Sequence, residues 1–156
     1  VKFAVSMGAE VTMLSTSPSK ENDAKMLGAH HFALSTDKDQ MKALRGKFDF
    51  ILNTVAAKYD LNKFLDLLTV EGKMLLVGIP PEDNELGSAK LISRRRSIIG
   101  SNVGGIAETQ EMLDYCAEHN ILSDVEMIQM KDINEAYTRI SNSDVKYRFV
   151  IDMASM

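Results

Sequence analysis

The sequence predicts an α/β fold in which a doubly wound parallel sheet is covered by helices on both faces. Short apolar stretches rich in Val, Ile and Leu alternate along the chain with amphipathic stretches of about ten residues. Glycine or proline marks the boundary of most of these stretches. Strands buried on both faces have this continuous apolar pattern, and the helices between them supply the crossovers of a parallel sheet. We therefore expect right-handed β–helix–β units throughout the chain.

The first elements are predicted to be a helix, a strand and a second helix. Residues 1–8 are rich in apolar side chains and end in glycine, without the Ser, Thr, Asp or Asn that usually opens a helix, so we expect the chain to begin inside one. The apolar and partly β-branched residues 10–16 predict a strand. Ser17 as the cap and Pro18 at the first position then predict a helix, which ends at Gly28.

The same alternation continues to the end of the chain. The other strands are predicted at residues 31–34, 48–55, 73–79, 97–101, 125–128 and 147–151. The other helices are predicted at residues 37–44, 61–68, 89–92, 107–120 and 133–140. Because the sequence contains no internal repeat or linker, we expect a single domain over residues 1–156.

Composition and charge are those of an ordinary globular domain. Of the 156 residues 45% are hydrophobic and 26% are charged, and the formal net charge is -4 at pH 7. A negatively charged protein has no general attraction for a phosphate backbone, so nucleic acid is not an expected partner. The longest basic run, residues 94–96, is expected to be a solvated turn, with a contact to an anion or partner as the alternative.

Cysteine content and hydropathy predict where the protein resides. Cys116 has no second cysteine with which to pair, which excludes an intramolecular disulfide and favours a reducing compartment. No apolar run approaches the roughly 20 residues that cross a bilayer. No signal-peptide pattern opens the sequence. We therefore expect a cytoplasmic protein without a membrane partner.

Small polar residues and glycines lie at the ends of four of the predicted strands. In an open parallel sheet a ligand binds outside the carboxyl ends of the strands, where the strand order reverses. Turn residues occur at these positions in any such fold, so their presence alone leaves a structural role open. The residues at the predicted strand ends are Ser15, Thr16, Ser17, Asn53, Thr54, Gly78, Ile79, Ser101, Asn102 and Val103.

The end of the first strand favours NADP over NAD. Enzymes that select NAD usually place an acidic residue here, where it accepts the hydroxyl groups of the adenine ribose. This chain instead has hydroxyl groups followed by Lys20, with no carboxylate among residues 15–20. Such groups can form charge-assisted hydrogen bonds with a 2′-phosphate. Ser17 can cap a helix at the same time, because a helix start also attracts an anion.

Several stretches together resemble the cinnamyl alcohol dehydrogenase-like branch of the zinc-containing medium-chain alcohol dehydrogenases. They occur in the order and spacing of that family over essentially the whole chain, and the resemblance implies a Rossmann-type cofactor domain and a zinc-dependent, NADP-linked interconversion of an alcohol and an aldehyde. The stretches that carry the resemblance are residues 15–20, 49–55, 72–78, 100–105, 108–112 and 147–152.

The resemblance also implies roles for individual residues. Those that would hold the 2′-phosphate are Ser15, Thr16, Ser17 and Lys20. Thr54 would lie against the ribose or pyrophosphate, and Arg148 would reach the pyrophosphate, although a surface arginine on an edge strand is the alternative. Those that would line the nicotinamide pocket are Gly78, Ile79, Ser101, Asn102 and Val103. The chain departs from the usual pattern at Asn53, Ala56 and Asn102, where the branch more often has Asp, Ser and Gly.

Other parts of the family pattern are expected to precede Val1. These are the first strand, the glycine-rich turn that binds the pyrophosphate, and the zinc ligands. We therefore interpret residues 1–156 as an N-terminally truncated NADP(H)-binding domain with no catalytic residue and no metal ligand of its own, zinc belonging to the parent enzyme. In relatives the segment corresponding to 125–156 returns toward the catalytic domain. The isolated chain is predicted to be inactive.

The class of protein and its oligomeric state are two further expectations. A non-catalytic α/β nucleotide-binding or regulatory module is the alternative to an alcohol dehydrogenase that acts on a small alcohol or aldehyde. Relatives pair their cofactor domains edge to edge, so we expect a homodimer through the strand at 97–101. Without the first strand of the family pattern, which is expected to precede Val1, the sheet should have a gap or unpaired edges, and these favour association.

Overall fold

The computed structural model describes residues 1–142 and 144–155. It contains two compact units, Val1–Glu108 and Thr109–Met156. Every strand pair is parallel, and helices alternate with strands along the chain, which confirms the predicted α/β class.

The first unit contains the elements predicted for its part of the sequence, with bounds that differ at several of their ends. Its strands are β1 (Thr12–Ser15), β2 (His31–Leu34), β3 (Phe48–Asn53), β4 (Leu68–Leu76) and β5 (Ser97–Gly100). Its helices are α1 (Lys2–Ser6), α2 (Glu21–Met26), α3 (Lys38–Ala43), α4 (Leu61–Leu65) and α5 (Ser88–Ile92), with a 3-10 turn at Pro18–Lys20 before α2.

The second unit is a smaller α/β arrangement. Helix α6 (Ile106–Glu118) crosses the boundary between the units and leads into β6 (Glu126–Gln129). Helix α7 (Ile133–Ser141) then connects β6 to β7 (Phe149–Asp152). Strands β6 and β7 pair in parallel. No helix within residues 1–142 and 144–155 is long and apolar enough to span a membrane.

The strands form three hydrogen-bonded sheets instead of one. In the first unit β1 pairs with β2, and β3, β4 and β5 form a second sheet in that order. The remaining sheet consists of β6 and β7. Among the described residues no strand joins β1 to β3, so the first unit has the gap that the sequence analysis expects.

Strand β4 begins earlier than predicted. The predicted helix at 61–68 ends at Leu65, and Leu68 already pairs with Phe48 of β3. The register then shifts, because Glu71 adopts a left-handed conformation with φ of 62° and the next pairing joins Phe50 to Lys73. Burial of Leu68 in the core explains why the chain leaves the helix at this point.

The main core lies on one face of the β3–β4–β5 sheet. Leu61 and Leu65 of α4 pack with Leu68 and Met74, and all four side chains are buried. The opposite face is open: Phe50 and Leu52, whose side chains alternate with the inward-facing ones, are 65% and 64% exposed. Helix α4 therefore covers only one side of this sheet.

The basic run at 94–96 is only partly the solvated turn that was expected. Its first two arginines are exposed, but Arg96 is buried and donates hydrogen bonds to the carbonyl oxygens of Leu68 (2.7 Å) and Lys90 (3.2 Å). Its guanidinium also lies 3.8 Å from the Asp66 carboxylate. A buried charge needs such partners, so Arg96 joins β4 to α5 and is a structural residue.

Candidate functional site

The end of β1 presents a short segment of hydroxyl groups. Ser15 accepts a hydrogen bond from the Ser17 backbone N–H at 3.1 Å, which turns the chain sharply after the strand. The hydroxyl groups of Ser17 and Ser19 lie 2.8 Å apart. Pro18 occupies the first position of the following 3-10 turn as predicted, but the Ser17 side chain makes no capping bond to the backbone. The predicted side-chain cap is therefore wrong, because the hydroxyl is turned toward Ser19.

Lys20 supplies positive charge beside these hydroxyl groups. Its side chain is half-buried and makes no ion pair with any residue in the described ranges. The nearest acid in sequence, Glu21, is paired with Lys25 at 2.7 Å. The residues after β1 thus combine hydroxyl donors and an ammonium group with no carboxylate competing for them, a donor set that suits a phosphate dianion.

A second cluster of predicted site residues lies where β3 and β4 end. The Asn53 carbonyl accepts hydrogen bonds from the backbone N–H groups of Val77 (3.0 Å) and Gly78 (3.4 Å), which extends the pairing of the two strands beyond Leu76. Thr54 is exposed immediately after Asn53, and Ile79 is 88% exposed after Gly78. The strand ends therefore present one polar and one large apolar side chain to solvent.

Gly78 is required by close packing of the backbone. A Cβ atom at this position would lie 2.6 Å from the Val55 carbonyl oxygen and 2.9 Å from the Thr54 carbonyl carbon. Contacts this short do not occur at real side chains, so any larger residue would push the two strand ends apart. The glycine thus sets the spacing at this edge of the sheet.

The end of β5 continues the same edge. Ser101 donates its backbone N–H to Leu76 of β4 at 3.0 Å, and Asn102 accepts the N–H of Val103 at 2.8 Å through its side chain. Val103 is 89% exposed. Glu108 accepts the N–H of Gly105 at 2.7 Å, so the start of α6 is already occupied by a carboxylate of the same helix.

Two loops beyond β3 and β4 are tied to each other. Lys58 pairs with Glu82 at 2.5 Å, and the Tyr59 backbone N–H donates to the Asn84 side chain at 3.2 Å. The Asn62 side chain accepts the N–H of Gly87 at 2.8 Å. These contacts make the loops 54–60 and 80–87 a single surface at the carboxyl edge of the sheet.

Tyr59 also contacts the strand end directly. Its hydroxyl oxygen accepts a hydrogen bond from Nδ2 of Asn53, while its ring packs edge-on against Phe64 at a centroid distance of 5.5 Å. Burial raises the pKa of the Tyr59 hydroxyl above its ordinary value of 10.0, against a smaller opposing effect of the Asn53 hydrogen bond. The hydroxyl is therefore protonated at neutral pH.

The predicted site residues thus fall into three places. The strand-end hydrogen bonds bring together the β3, β4 and β5 ends, and with them Thr54, Gly78, Ile79 and Ser101–Val103. Residues 15–20 begin at the last residue of β1, which belongs to the other sheet of the same unit. Arg148 is exposed in the second unit, just before β7, and its carbonyl accepts the N–H of Glu126 at 2.9 Å. Their ligand-binding roles stay predictions.

The network around Asn53 and Tyr59 is not predicted from the sequence. The available signal was a polar residue directly after the apolar run 50–52, but its partner could not be identified from spacing alone. The part of the chain that the structure describes contains no group of three or more His, Cys, Asp or Glu residues able to hold a metal ion.

Comparisons with known proteins identify relatives of this chain. Residues 1–118 match the family described as zinc-binding dehydrogenase. An NADP-dependent alcohol dehydrogenase C of Mycobacterium tuberculosis is 48% identical over 100% of the chain, and a probable mannitol dehydrogenase of Medicago sativa is 47% identical over 99% of it. The chain spans 45% and 44% of these two relatives, less than half of their length.

Two solved structures are also similar to this chain. A cinnamyl alcohol dehydrogenase of Sorghum bicolor superposes with a TM-score of 0.93 at 40% identity, covering 98% of this chain and 44% of that one. The CAD of Helicobacter pylori, solved as a complex with NADP(H), superposes with a TM-score of 0.83, also at 40% identity, over 98% of this chain and 44% of the other.

Proposed function

This chain belongs to the zinc-binding dehydrogenase family, and we propose that it forms the NADP(H)-binding part of an alcohol dehydrogenase that interconverts an alcohol and an aldehyde. The observation that carries the choice of NADP is the segment after β1, where hydroxyl groups and Lys20 stand without a competing carboxylate. Similarity to relatives named as NADP-dependent alcohol dehydrogenases supports the same choice.

In this proposal the segment after β1 binds the 2′-phosphate of the adenosine. The Ser17 and Ser19 hydroxyl groups already lie 2.8 Å apart and can both turn toward a phosphate oxygen. Lys20 would add a charge-assisted hydrogen bond, an interaction that typically contributes about 1.5–3 kcal/mol. NAD(H) has no phosphate on its adenine ribose and so offers Lys20 no negative charge there. The chain therefore discriminates between the two dinucleotides at this position.

The joined ends of β3, β4 and β5 would hold the nicotinamide half. Gly78 allows the backbone of the two strand ends to approach closely, and the exposed Ile79 and Val103 offer apolar surface to a flat ring. Thr54 can donate its hydroxyl to the ribose or pyrophosphate. When bound, the nicotinamide supplies the hydride acceptor or donor of the reaction. This chain orients it and shields one side from water.

We propose no zinc chemistry for the part of the chain that the structure describes. The described residues provide no cluster that fits the ion, so we assign no metal ligand and no reaction step through a metal to them. The chain spans less than half of its relatives, and we propose that the groups acting on the alcohol lie outside the sequence given. The isolated chain is accordingly expected to show no alcohol oxidation.

The edge of β5 is the proposed contact between two copies of the protein. Ser97–Gly100 pairs with β4 along one edge, and no described strand of the same chain pairs with the other. An exposed strand edge can extend a sheet into a second subunit. We propose a homodimer through this edge, which light scattering of the full-length protein would contradict by giving a monomeric mass at micromolar concentration.

The binding assignment is tested by calorimetric titration of the full-length protein. We expect adenosine 2′,5′-bisphosphate to bind at least about tenfold more tightly than 5′-AMP, and Lys20→Ala to remove most of this difference. Lys25→Ala, which removes an exposed lysine of the following helix α2 that is already paired with Glu21, is the matched control and should leave the ratio unchanged. Equal affinity for the two nucleotides in the wild type would refute the NADP assignment.

A further inference from the structure

Asn53 is a buried polar residue at the joint end of β3 and β4, and its exposed fraction is only 7%. Its side chain makes two hydrogen bonds, one with the Val55 backbone N–H at 2.8 Å and one with the Tyr59 hydroxyl. Its carbonyl meanwhile holds the end of β4 through Val77 and Gly78. One residue therefore connects two strand ends and the loop that follows them.

The chemistry of these partners fixes the orientation of the Asn53 amide. A backbone N–H can only donate, so the group facing Val55 must be the amide oxygen. The amide nitrogen is then directed at Tyr59, whose oxygen accepts. An incorrectly oriented amide would place two donors against each other at Val55. The Asn53 side chain thus has a single orientation in which both bonds form.

The side chain of Asn53 and the backbone of Gly78 hold the segment formed by Thr54 and Val55 from two sides. Asn53 holds the Val55 N–H, and Gly78 packs directly against the Val55 carbonyl. Tyr59 is anchored in turn by its contact with Phe64 and by the hydrogen bond from its N–H to Asn84. The conformation of Thr54 is therefore decided by its neighbours, since its own side chain is exposed.

We propose that Asn53 and Tyr59 act together as positioning residues for the cofactor: their side-chain hydrogen bond sets the backbone of Thr54 and Val55 against the dinucleotide. The proposal rests on the proposed function, because Thr54 is placed at the ribose and pyrophosphate only there. Neither Asn53 nor Tyr59 needs to touch the cofactor. Positioning of a contacting group is sensitive to small displacements, so loss of the pair weakens binding without removing any contact atom.

The test measures the dissociation constant of NADPH for the full-length protein by fluorescence, with the melting temperature of the unliganded protein recorded beside it. We expect Asn53→Ala to weaken binding about tenfold or more and Tyr59→Phe to weaken it by a factor of about three to ten. The double variant should bind NADPH no more weakly than Asn53→Ala alone, because Asn53→Ala already breaks the bond that Tyr59→Phe removes. Asn53→Asp should stay within about threefold of the wild type, since a carboxylate can accept from both Val55 and Tyr59.

Two controls separate positioning from stability. Tyr137→Phe removes the hydroxyl of an exposed tyrosine in the second unit and should change neither measurement. An NADPH affinity that stays at the wild-type value in Asn53→Ala or Tyr59→Phe, whether or not the melting temperature falls, overturns the positioning role. If Asn53→Ala does not fold, Tyr59→Phe and Asn53→Asp decide: an unchanged affinity in the first, or a tenfold loss in the second, refutes the proposal.

The outcome also separates this inference from the proposed function. A wild-type protein that binds NADPH and loses discrimination with Lys20→Ala, but is unaffected at Asn53 and Tyr59, keeps the proposed function and loses only the positioning role. A wild-type protein that does not bind NADPH overturns both.

Discussion

The two helix starts that follow β1 and β2 differ in what occupies them. After β2, the Asp37 carboxylate accepts the backbone N–H groups of Asp39 (2.9 Å) and Gln40 (3.0 Å), so the first turn of α3 is capped by its own chain. After β1, the Ser17 hydroxyl is turned to Ser19 and no side chain caps the turn. The first junction is open and carries a lysine, whereas the second is closed and carries an acid.

This difference shows how one local design can serve structure or binding. A helix start that is filled by its own carboxylate has no donors left for an anion, and the negative charge repels one. A start with uncapped donors, hydroxyl groups and a nearby ammonium retains its capacity for a phosphate. The two junctions belong to adjacent parallel strands, so the contrast comes from side chains and not from the position in the sheet.

The largest effect is expected from making the first junction resemble the second. Ser17→Asp places a carboxylate beside the proposed 2′-phosphate, and like-charge repulsion should weaken NADPH binding by about a hundredfold or more, or about 2.7 kcal/mol. NADH should bind as well as before or better, because an acid can accept its ribose hydroxyl groups. Titration of both cofactors measures the reversal. Asn134→Asp, an equal charge change on an exposed residue of α7, should leave both affinities unaltered.

A closely packed strand end should tolerate an added methyl group less well than a strand end with free space beside it. At the packed end of β4, Gly78→Ala places a methyl group 2.6 Å from the Val55 oxygen and should destabilise the protein by about 1–3 kcal/mol. Gly100→Ala at the end of β5 meets no atom within 4 Å and should change stability by less than about 1 kcal/mol. Urea unfolding of both variants tests this, and equal losses would contradict the close packing at Gly78.

The smallest expected effect is the loss of stability when the Asp37 cap after β2 is removed, and this loss depends on pH. The N–H of Gln40 holds the pKa of the Asp37 carboxyl below its ordinary value of 3.8; desolvation opposes this shift, and the Asp39 N–H and the Gln40 side chain add smaller decreases. A carboxyl with a lowered pKa in the folded state stabilises the fold fully above its ordinary pKa and progressively less as pH falls through the lowered one. Asp37→Ala should therefore lower the melting temperature by about 2–5 °C at pH 7.

The same difference in melting temperature should shrink below pH 3.8. Asp39→Ala, which removes a neighbouring exposed acid that is not the cap, serves as the control for the change in charge. A difference between Asp37→Ala and the wild type that persists unchanged in strong acid would show that the cap bond is not its cause.

Much of the first unit could be predicted from local patterns. The parallel strands and their order along the chain follow from alternating apolar and amphipathic stretches, and Pro18 marks the turn after β1 correctly. The strand-end residues could also be found, because turn residues follow each apolar run. The side-chain cap at Ser17 could not, since two hydroxyl groups compete for each other and for the backbone at similar energy.

By itself, the sequence determines the α/β class and the absence of an acid after β1, because both depend on residue types within one or two turns of chain. Only the tertiary structure decides the early start of β4, the burial of Arg96 and the bond between Asn53 and Tyr59. Each of these depends on which distant segments pack together, and burial there overrides local preference. Long-range packing supplies the partners that a buried polar group must have, and no spacing along the chain records them.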